Sequence, residues 1–90
     1  MTGPLSGYRI IDMTSVVSGP LCTMMLGDQG AEVIKVENPD GGDFTRAMSN
    51  RRGGLSAPFL NNNRSKRSLA VNTKTKKGLE IVKKLVANAD

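Results

Sequence analysis

The stretch at residues 31–37, with the sequence AEVIKVE, constrains the fold more than any other part of this chain. It is rich in valine and isoleucine, and it lacks the alternation of apolar and polar residues that marks a half-exposed strand. A continuous run of this kind is typical of a parallel sheet, in which helices cover both faces of each strand. The sequence therefore predicts a parallel strand here with both faces buried.

The residues before this strand predict a β-α-β unit. Residues 8–13, YRIIDM, form a short and mostly apolar run that indicates a first strand. A helix is expected to follow, with Ser18 as its N-cap and Pro20 in its first turn. Its end is predicted between Gly27 and Gly30, because glycine readily adopts the left-handed conformation that stops a helix. The two strands that this helix joins should be parallel.

The second half of the chain predicts one more strand and one more helix. Residues 38–66 hold two prolines and two glycine pairs and are rich in asparagine and arginine, which favours a long excursion without regular structure. Residues 68–72 predict a third short strand. A final helix is predicted from residue 76, with Leu79, Ile81, Val82, Leu85 and Val86 on its apolar side.

The predicted order, β-α-β-loop-β-α, describes an α/β fold whose sheet is too small to cover itself. Three short strands and two helices leave apolar surface without a partner, since a parallel sheet needs helices on both faces. We therefore predict that the chain is the first part of a larger α/β protein.

Composition excludes several classes of protein. Hydrophobic residues make up 38% and charged residues 23% of the chain. No run approaches the ~20 apolar residues that span a bilayer. The N-terminus lacks the basic and apolar regions of an export signal. With Cys22 as the single cysteine and no histidine, an internal disulfide and the usual zinc sites are excluded. We predict a cytoplasmic protein without a metal, in which Cys22 is a buried structural thiol.

The charge is distributed unevenly along the chain. Residues 1–40 carry two basic and five acidic side chains, whereas residues 41–90 carry eleven basic and three acidic ones. This asymmetry suggests that the second half meets an anion, although solvated charge is the ordinary explanation for a basic run. The cations concentrate at six positions within 22 residues, namely Arg46, Arg51, Arg52, Arg64, Lys66 and Arg67.

Two further lysines favour a polyanionic ligand. Lys76 and Lys77 fall in the predicted first turn of the last helix, where the helix dipole disfavours cations by some tenths of a kcal/mol each. A bound polyanion would offset that cost. Only Tyr8, Phe44 and Phe59 are aromatic, so few side chains could stack on bases. A phosphorylated cofactor is therefore favoured over nucleic acid.

Parallel sheets bind ligands beyond the carboxyl ends of their strands, so residues 14–19, 38–46 and 72–74 are expected to meet at one edge. The backbone N–H groups of Ser18 and Gly19 can hold a phosphate or carboxylate there, or they can belong to an ordinary helix start. Asp43 lies three residues before Arg46. It is either a catalytic carboxylate or, more ordinarily, a helix cap that pairs with that arginine.

Four segments in this order resemble the class III CoA-transferases, the CaiB/BaiF family that includes formyl-CoA transferase. They are GP at 19–20, GAEVIKVE at 30–37, GD at 42–43 followed by Arg46, and NRSKRSL at 63–69 leading to Lys74. The chain departs from the family at Asn38, where relatives often have arginine, and at Lys76 and Lys77, where proline and glutamate are usual. Nearly the whole chain takes part in the resemblance.

The resemblance implies that residues 1–90 are the N-terminal portion of a large, Rossmann-like, CoA-binding domain. It also implies a smaller second domain and an interlocked homodimer. Such enzymes transfer coenzyme A from an acyl-CoA to a carboxylic-acid acceptor through an aspartate, which would lie beyond residue 90. The resemblance thus assigns no catalytic residue here, and neither Asp12 nor Asp43 takes that role.

Matching positions imply that the CoA-binding residues are Val17, Ser18, Val71, Asn72, Thr73 and Lys74. A cation at Lys74 suits this role, because the phosphates of CoA carry about four negative charges. No membrane partner is implied, and nucleic acid is disfavoured.

Three alternatives remain at this point. An acyl-CoA racemase of the same family would use the same CoA site, although the long insert before Asn63 favours a transferase. A small basic nucleic-acid-binding protein is the second alternative, and an inactive truncated product is the third. The isolated chain is expected to be inactive and to fold marginally or self-associate.

Overall fold

A computed structural model describes residues 2–48 and 51–90 of the chain, and the side chains of these residues except 51 and 52. Its elements, in chain order, are β1 (Arg9–Asp12), α1 (Ser18–Asp28), β2 (Glu32–Glu37), a 3₁₀ helix (Phe44–Ala47), β3 (Arg51–Arg52), β4 (Leu55–Ser56), α2 (Ala57–Asn62), β5 (Lys66–Ala70) and α3 (Lys76–Ala87).

The three longer strands form a parallel sheet in the order β1-β2-β5. Ile10 of β1 lies opposite Val33 of β2, and Val36 of β2 lies opposite Leu69 of β5. The predicted α/β fold and its β-α-β unit are confirmed. Because β2 has a hydrogen-bonded neighbour on each side, the apolar run at residues 31–37 supplies the central strand of the three.

The segment between β2 and β5 is more regular than predicted. Asp43 starts the 3₁₀ helix by accepting a hydrogen bond from the backbone N–H of Thr45. Gly53 and Gly54 both have positive φ, 57° and 79°, and they join β3 to β4. A two-residue turn of this kind needs positive φ at both positions, which glycine adopts without a steric cost. The prediction of an irregular excursion is therefore wrong for this part, with residues 49 and 50 outside the described residues.

The caps and ends of the helices agree with the predictions in part. Gly30, with φ 104°, follows α1 and confirms the predicted left-handed stop. Ser18 is the first helical residue and not the N-cap, which is Val17, so the predicted Ser18 cap is wrong. Thr75 caps α3, because its Oγ1 accepts a hydrogen bond of 3.0 Å from the N–H of Gly78.

The buried apolar core of the described residues is small. It consists of Met24, Ala31, Val33, Val36 and Val82. On β2, Ile34 is half-buried, so the prediction that both faces are fully covered is only partly right. Cys22 is exposed, which makes the predicted buried thiol wrong. In the part of the chain that the structure describes, no helix is both long and apolar enough to cross a membrane.

The apolar side of α3 is mostly open. Val82 is buried, but Leu79, Ile81 and Val86 keep 43%, 46% and 53% of their surface exposed. The amphipathic pattern predicted the helix correctly, yet the described residues cover only part of its apolar side. This uncovered stripe matches the sequence-based expectation that three strands and their helices cannot cover themselves.

Candidate functional site

One face of the sheet carries charged side chains where an apolar core would be expected. Asp12, Lys35 and Ser68 lie side by side across β1, β2 and β5. The side chains of Asp12 and Lys35 are 0% and 1% exposed. Buried charges are costly unless they are paired. Each buried carboxylate of this face does have a cation beside it.

Asp12 is held at the end of β1 by four donors. Its Oδ2 accepts hydrogen bonds of 2.8 Å from Lys66 Nζ and from Thr23 Oγ1. Its Oδ1 accepts a hydrogen bond of 2.8 Å from the N–H of Thr14 and a second one from the hydroxyl of Thr14. Burial alone would raise the pKa of Asp12, but the hydrogen bonds from Lys66, Thr14 and Thr23 outweigh it and lower that pKa. Asp12 is therefore an ionised structural group.

Asp43 is equally enclosed, at the start of the 3₁₀ helix. Its Oδ2 lies 2.8 Å from Lys35 Nζ, and its Oδ1 accepts hydrogen bonds from Thr45 N–H and Oγ1 at 2.9 and 2.7 Å. Two further bonds come from the loop after β1, from Ser15 Oγ at 3.3 Å and Val16 N–H at 3.2 Å. Although burial opposes ionisation, Lys35 and the hydrogen bonds hold the pKa of Asp43 well below its usual range.

Arg46 pairs with Glu37, and the predicted Asp43–Arg46 pair is wrong. Arg46 donates from Nε and Nη2 to the two carboxylate oxygens at 2.7 and 2.8 Å, a bidentate geometry. The guanidinium also lies 3.8 Å from the centre of the Phe59 ring. The predicted cap at Asp43 is confirmed, because its carboxylate accepts from Thr45 N–H. Arg46 thus fixes the loop after β2 to the strand itself.

The Glu37–Arg46 pair predicts a specific pH dependence of stability. Arg46, helped by Ser68, lowers the pKa of Glu37 from 4.5 to about 2. A carboxylate with a lowered pKa stabilises the fold fully above its unfolded pKa and loses that contribution as the pH falls through its folded pKa. Glu37→Gln is therefore expected to lower Tm at pH 6 and to differ less and less from the parent protein between about pH 4.5 and 2. Thermal unfolding of both proteins across this range checks it, and a constant difference would contradict it.

The carboxyl ends of the strands enclose two adjoining cavities. The larger, of about 410 Å³, is lined by Met13, Val36, Glu37, Asn38, Asp40, Val71, Asn72, Thr73 and Lys74. The smaller, of about 160 Å³, shares four of these residues and adds Thr14, Ser15, Gly42 and Asp43. The prediction that the segments after β1, β2 and β5 meet at one edge is confirmed.

The loop between β1 and α1, residues 13–17, is called the β1–α1 loop below. Val16 in this loop has φ 74°, a conformation that is a genuine outlier for a β-branched residue. Val17 and Ser18 are exposed at the start of α1 and do not line the larger cavity, to which this loop contributes Met13. A Cβ atom on Gly19 would lie 2.5 Å from Thr14 Cβ, so the loop packs directly on the first turn of α1.

The turn between β5 and α3 is fixed by hydrogen bonds that its backbone N–H groups donate. Val71 N–H donates to the carbonyl of Glu37 at 3.0 Å, and Lys74 N–H donates to Asn72 Oδ1 at 3.0 Å. A Cβ on Gly78 would lie 1.8 Å from the carbonyl oxygen of Asn72, so only glycine fits there. Lys74 is exposed at the larger cavity. The turn is thus held by hydrogen bonds and close packing, while its lysine remains available to a ligand.

Most cations of the basic run have a carboxylate partner in the same chain. Lys66 is bound to Asp12, Arg64 lies 2.7 Å from Asp28, and Arg67 lies 3.2 Å from Glu32. With Arg46 on Glu37, four of the six cations have carboxylate partners, although the side chains of Arg64 and Arg67 remain 58% and 77% exposed. That the second half of the chain meets an anion stays a prediction. The side chains of the other two, at 51 and 52, lie outside the described residues. Lys74, Lys76 and Lys77 are exposed.

Sequence reasoning missed the role of Lys35. A lysine within the apolar β2 run has no pattern that marks it as buried, and its partner Asp43 follows eight residues later across a turn. Lys35 Nζ bridges Asp43 and the carbonyl of Thr14, which lies 3.2 Å away. The sequence does carry one signal of a buried ion pair, because a buried parallel strand should not hold an unpaired cation such as Lys35.

Comparison with known proteins assigns this arrangement to a family. The sequence model of CoA-transferase family III matches residues 5–90. This chain belongs to CoA-transferase family III. The resemblance seen in the sequence is thereby confirmed over nearly the whole chain.

Relatives in CoA-transferase family III include enzymes of stated reaction. The chain is 51% identical over 88 residues to the succinyl-CoA:glutarate CoA-transferase of Homo sapiens, covering 97% of this chain and 20% of that protein. It is 44% identical over 91 residues to the formyl-CoA:oxalate CoA-transferase of Escherichia coli, covering all of this chain and 22% of that protein.

Solved structures agree with this assignment. The crystal structure of a CaiB/BaiF family protein from Brucella suis matches all of this chain with a TM-score of 0.92 at 38% identity. That of a hypothetical protein from Mycobacterium tuberculosis matches 99% of the chain with a TM-score of 0.88 at 42% identity. The chain spans 25% and 24% of those two structures. It thus corresponds to about a quarter or less of the relatives that it matches.

Proposed function

We propose that residues 1–90 are the N-terminal portion of a larger CoA-binding domain in a CoA-transferase, and that they supply part of its CoA site. The observation that carries this proposal is the cavity at the carboxyl ends of the strands. Met13 of the β1–α1 loop and residues 71–74 of the β5–α3 turn line it together. Ligands of parallel α/β sheets bind at this edge. The relatives named above are CoA-transferases, and they align with these same residues.

Exposed apolar side chains support the place of this chain in a larger protein. Besides the stripe on α3, Tyr8, Met25 and Phe44 expose 53%, 55% and 67% of their surface. Soluble proteins seldom leave many large apolar side chains uncovered unless another surface meets them. The remainder of the family fold, and the partner subunit of an interlocked homodimer, would provide such surfaces. We call the protein that includes this remainder the full-length protein.

Only one side of the cavity carries charges that suit the nucleotide end of CoA. Lys74 is exposed there, and Lys76 and Lys77 are exposed on the adjoining first turn of α3. Asp40 lines the same cavity, so phosphates would lie towards Lys74 and away from that carboxylate. Glu37 also lines the cavity, but Arg46 compensates its charge. We propose Val71, Asn72, Thr73 and Lys74 as the nucleotide side of the site, with Val17 and Ser18 nearer the acyl group.

The proposed reaction moves CoA between an acyl-CoA and a carboxylic acid. An aspartate carboxylate of another segment attacks the thioester carbonyl and releases CoA thiolate. The thiolate then attacks the aspartyl carbonyl of the mixed anhydride, which leaves CoA on the aspartate and releases the donor as its free carboxylate. The acceptor carboxylate attacks this aspartyl thioester and again releases CoA thiolate, which attacks the acceptor carbonyl of the second anhydride, so that the new acyl-CoA forms and the aspartate carboxylate is regenerated. Asp12 and Asp43 are unsuited as nucleophiles, because lysine and hydrogen bonds engage both oxygens of each.

CoA is expected to raise the Tm of the full-length protein. A ligand that binds only the folded state adds about 2.7 kcal/mol of stability at a concentration of 100 times its Kd. Thermal unfolding with CoA, and with pantetheine as a control that lacks the nucleotide, measures this shift. We expect a shift with CoA that exceeds the shift with pantetheine. No shift with CoA, combined with salt-dependent binding to DNA, would instead favour the nucleic-acid-binding alternative.

Product analysis separates the two reactions that one CoA site could serve. Incubation with an acyl-CoA and an isotopically labelled carboxylic acid should give the labelled acyl-CoA, detected by mass spectrometry. A racemase would instead exchange the α-proton of its acyl-CoA for deuterium in D₂O without making a new thioester. Deuterium exchange without labelled thioester would replace transferase by racemase in this proposal.

A further inference from the structure

The β1–α1 loop is held in place by hydrogen bonds and very little by apolar packing. Val16 and Val17 leave 37% and 50% of their surface exposed, and Thr14 and Ser15 are exposed as well. A loop with so little buried surface has a weak intrinsic preference for one conformation. Its backbone at Val16 is moreover left-handed, with φ 74°. Something other than burial must therefore select this conformation.

Asp43 makes the contacts that can select it. Its Oδ1 accepts hydrogen bonds from Val16 N–H at 3.2 Å and from Ser15 Oγ at 3.3 Å, across 27 and 28 positions of sequence. The bond to Val16 fixes the very peptide group whose rotation would relieve the left-handed φ. A carboxylate is a strong acceptor for such a bond, because charged hydrogen bonds are roughly twice as strong as neutral ones.

Asp43 is itself held at both carboxylate oxygens. Thr45 N–H and Oγ1 hold its Oδ1, while Lys35 Nζ lies 2.8 Å from its Oδ2. The same Lys35 Nζ donates to the carbonyl of Thr14 at 3.2 Å. Lys35 and Asp43 together thus hold the β1–α1 loop at two backbone groups, the carbonyl of Thr14 and the N–H of Val16, which are two residues apart. Strained backbone that its surroundings over-determine in this way is concentrated at binding and catalytic sites.

We propose that Asp43 is a positioning residue for CoA binding, one that holds the β1–α1 loop in its left-handed conformation at Val16 and so presents Val17 and Ser18 to the ligand. This inference rests on the proposed function, because it assumes that the edge binds CoA. In it Asp43 does not contact CoA. It acts through the loop, and Lys35 acts through Asp43.

The test is a double-mutant cycle between Asp43 and Val16 in the full-length protein, with CoA affinity measured by calorimetry. Asp43→Asn should weaken CoA binding by about tenfold, since it replaces a charged hydrogen-bond acceptor. Val16→Gly removes the Cβ that makes φ 74° unfavourable, because glycine adopts positive φ freely. Adding Val16→Gly to Asp43→Asn should therefore restore most of the lost affinity. Asp28→Asn, on the far end of α1, is the control and should bind CoA within about twofold of the parent protein.

The outcomes are distinguishable. If the parent protein does not bind CoA, the proposed function fails. If it binds CoA and Asp43→Asn binds equally well, this inference alone is overturned. A purely structural role for Asp43 predicts that the double variant is as weak as Asp43→Asn or weaker, which also overturns the inference. If Asp43→Asn fails to fold, recovery of folding and CoA binding in the double variant supports the inference, and failure of both variants to fold overturns it.

Discussion

Lys35→Met is expected to lower the free energy of unfolding of the full-length protein by about 3–5 kcal/mol, the typical effect of removing one partner from a buried ion pair. Methionine keeps most of the lysine stem, so the change in packing is small. The charge of Asp43, which is 0% exposed, then loses its cation at 2.8 Å. Because a whole domain has a stability of only ~5–15 kcal/mol, this loss is a large fraction of the total. Urea unfolding followed by circular dichroism measures it.

The control for this experiment is Lys83→Met. Lys83 is an exposed lysine on α3, and its replacement should change the stability by no more than about 0.5 kcal/mol. A second variant, Lys35→Met with Asp43→Asn, removes both charges and should recover part of the loss, since no unpaired charge remains buried. Equal stability of Lys35→Met and Lys83→Met would contradict the buried ion pair between Lys35 and Asp43.

Lys74→Glu is expected to weaken CoA binding by about 100-fold, while Tm without CoA changes little. Losing a charged hydrogen bond costs about 1.5–3 kcal/mol, and the new carboxylate also repels the phosphates. Lys74 is exposed and its backbone, not its ammonium group, fixes the turn through Asn72. The side chain can therefore change without disturbing the fold. Calorimetric titration with CoA gives the affinity directly.

Two controls define what the Lys74 result means. Lys83→Glu makes the same charge reversal on an exposed face of α3, and it should leave CoA affinity within about threefold. Lys74→Arg keeps the positive charge and should recover most of the binding. If Lys74→Glu and Lys83→Glu weaken binding equally, only the overall charge matters, and the proposed place of the nucleotide at residues 71–74 is wrong.

The strands and helices could be predicted because they depend on the local spacing of apolar residues. The apolar run at 31–37 indicated a parallel strand, and the stripe from Leu79 to Val86 indicated a helix, both of which the structure contains. The hairpin at 51–56 is not predicted, because a glycine pair such as 53–54 is also typical of loop composition. Two glycines of positive φ between short strands form a tight turn just as well.

The polar network beneath α1 could not be predicted in the same way. Asp12, Lys35 and Lys66 come from three strands, and only the parallel register brings their side chains together. A charged residue in a sequence is ordinarily solvated, so the sequence does not mark Lys66 as buried, although its side chain is 2% exposed. Likewise, spacing placed Arg46 on Asp43, whereas the turn at Gly41 and Gly42 carries it back to Glu37.

The candidate site follows in part from the rule for parallel sheets and in part from family resemblance. The edge itself followed from the rule for parallel sheets, and the cavity shared by Met13 and residues 71–74 lies there. The identity of the ligand followed from family resemblance, because Lys74 alone does not distinguish CoA from another phosphorylated molecule. The strain at Val16 followed from neither, since a left-handed valine has no sequence signature.

A crystal structure of the full-length protein with bound CoA tests the central claim most directly. We predict CoA phosphates within hydrogen-bonding distance of Lys74 Nζ, with the pantetheine arm passing the β1–α1 loop at Val17 and Ser18. CoA bound at the opposite edge of the sheet, for example in the 370 Å³ cavity lined by Arg9, Glu32 and Arg67, would contradict it.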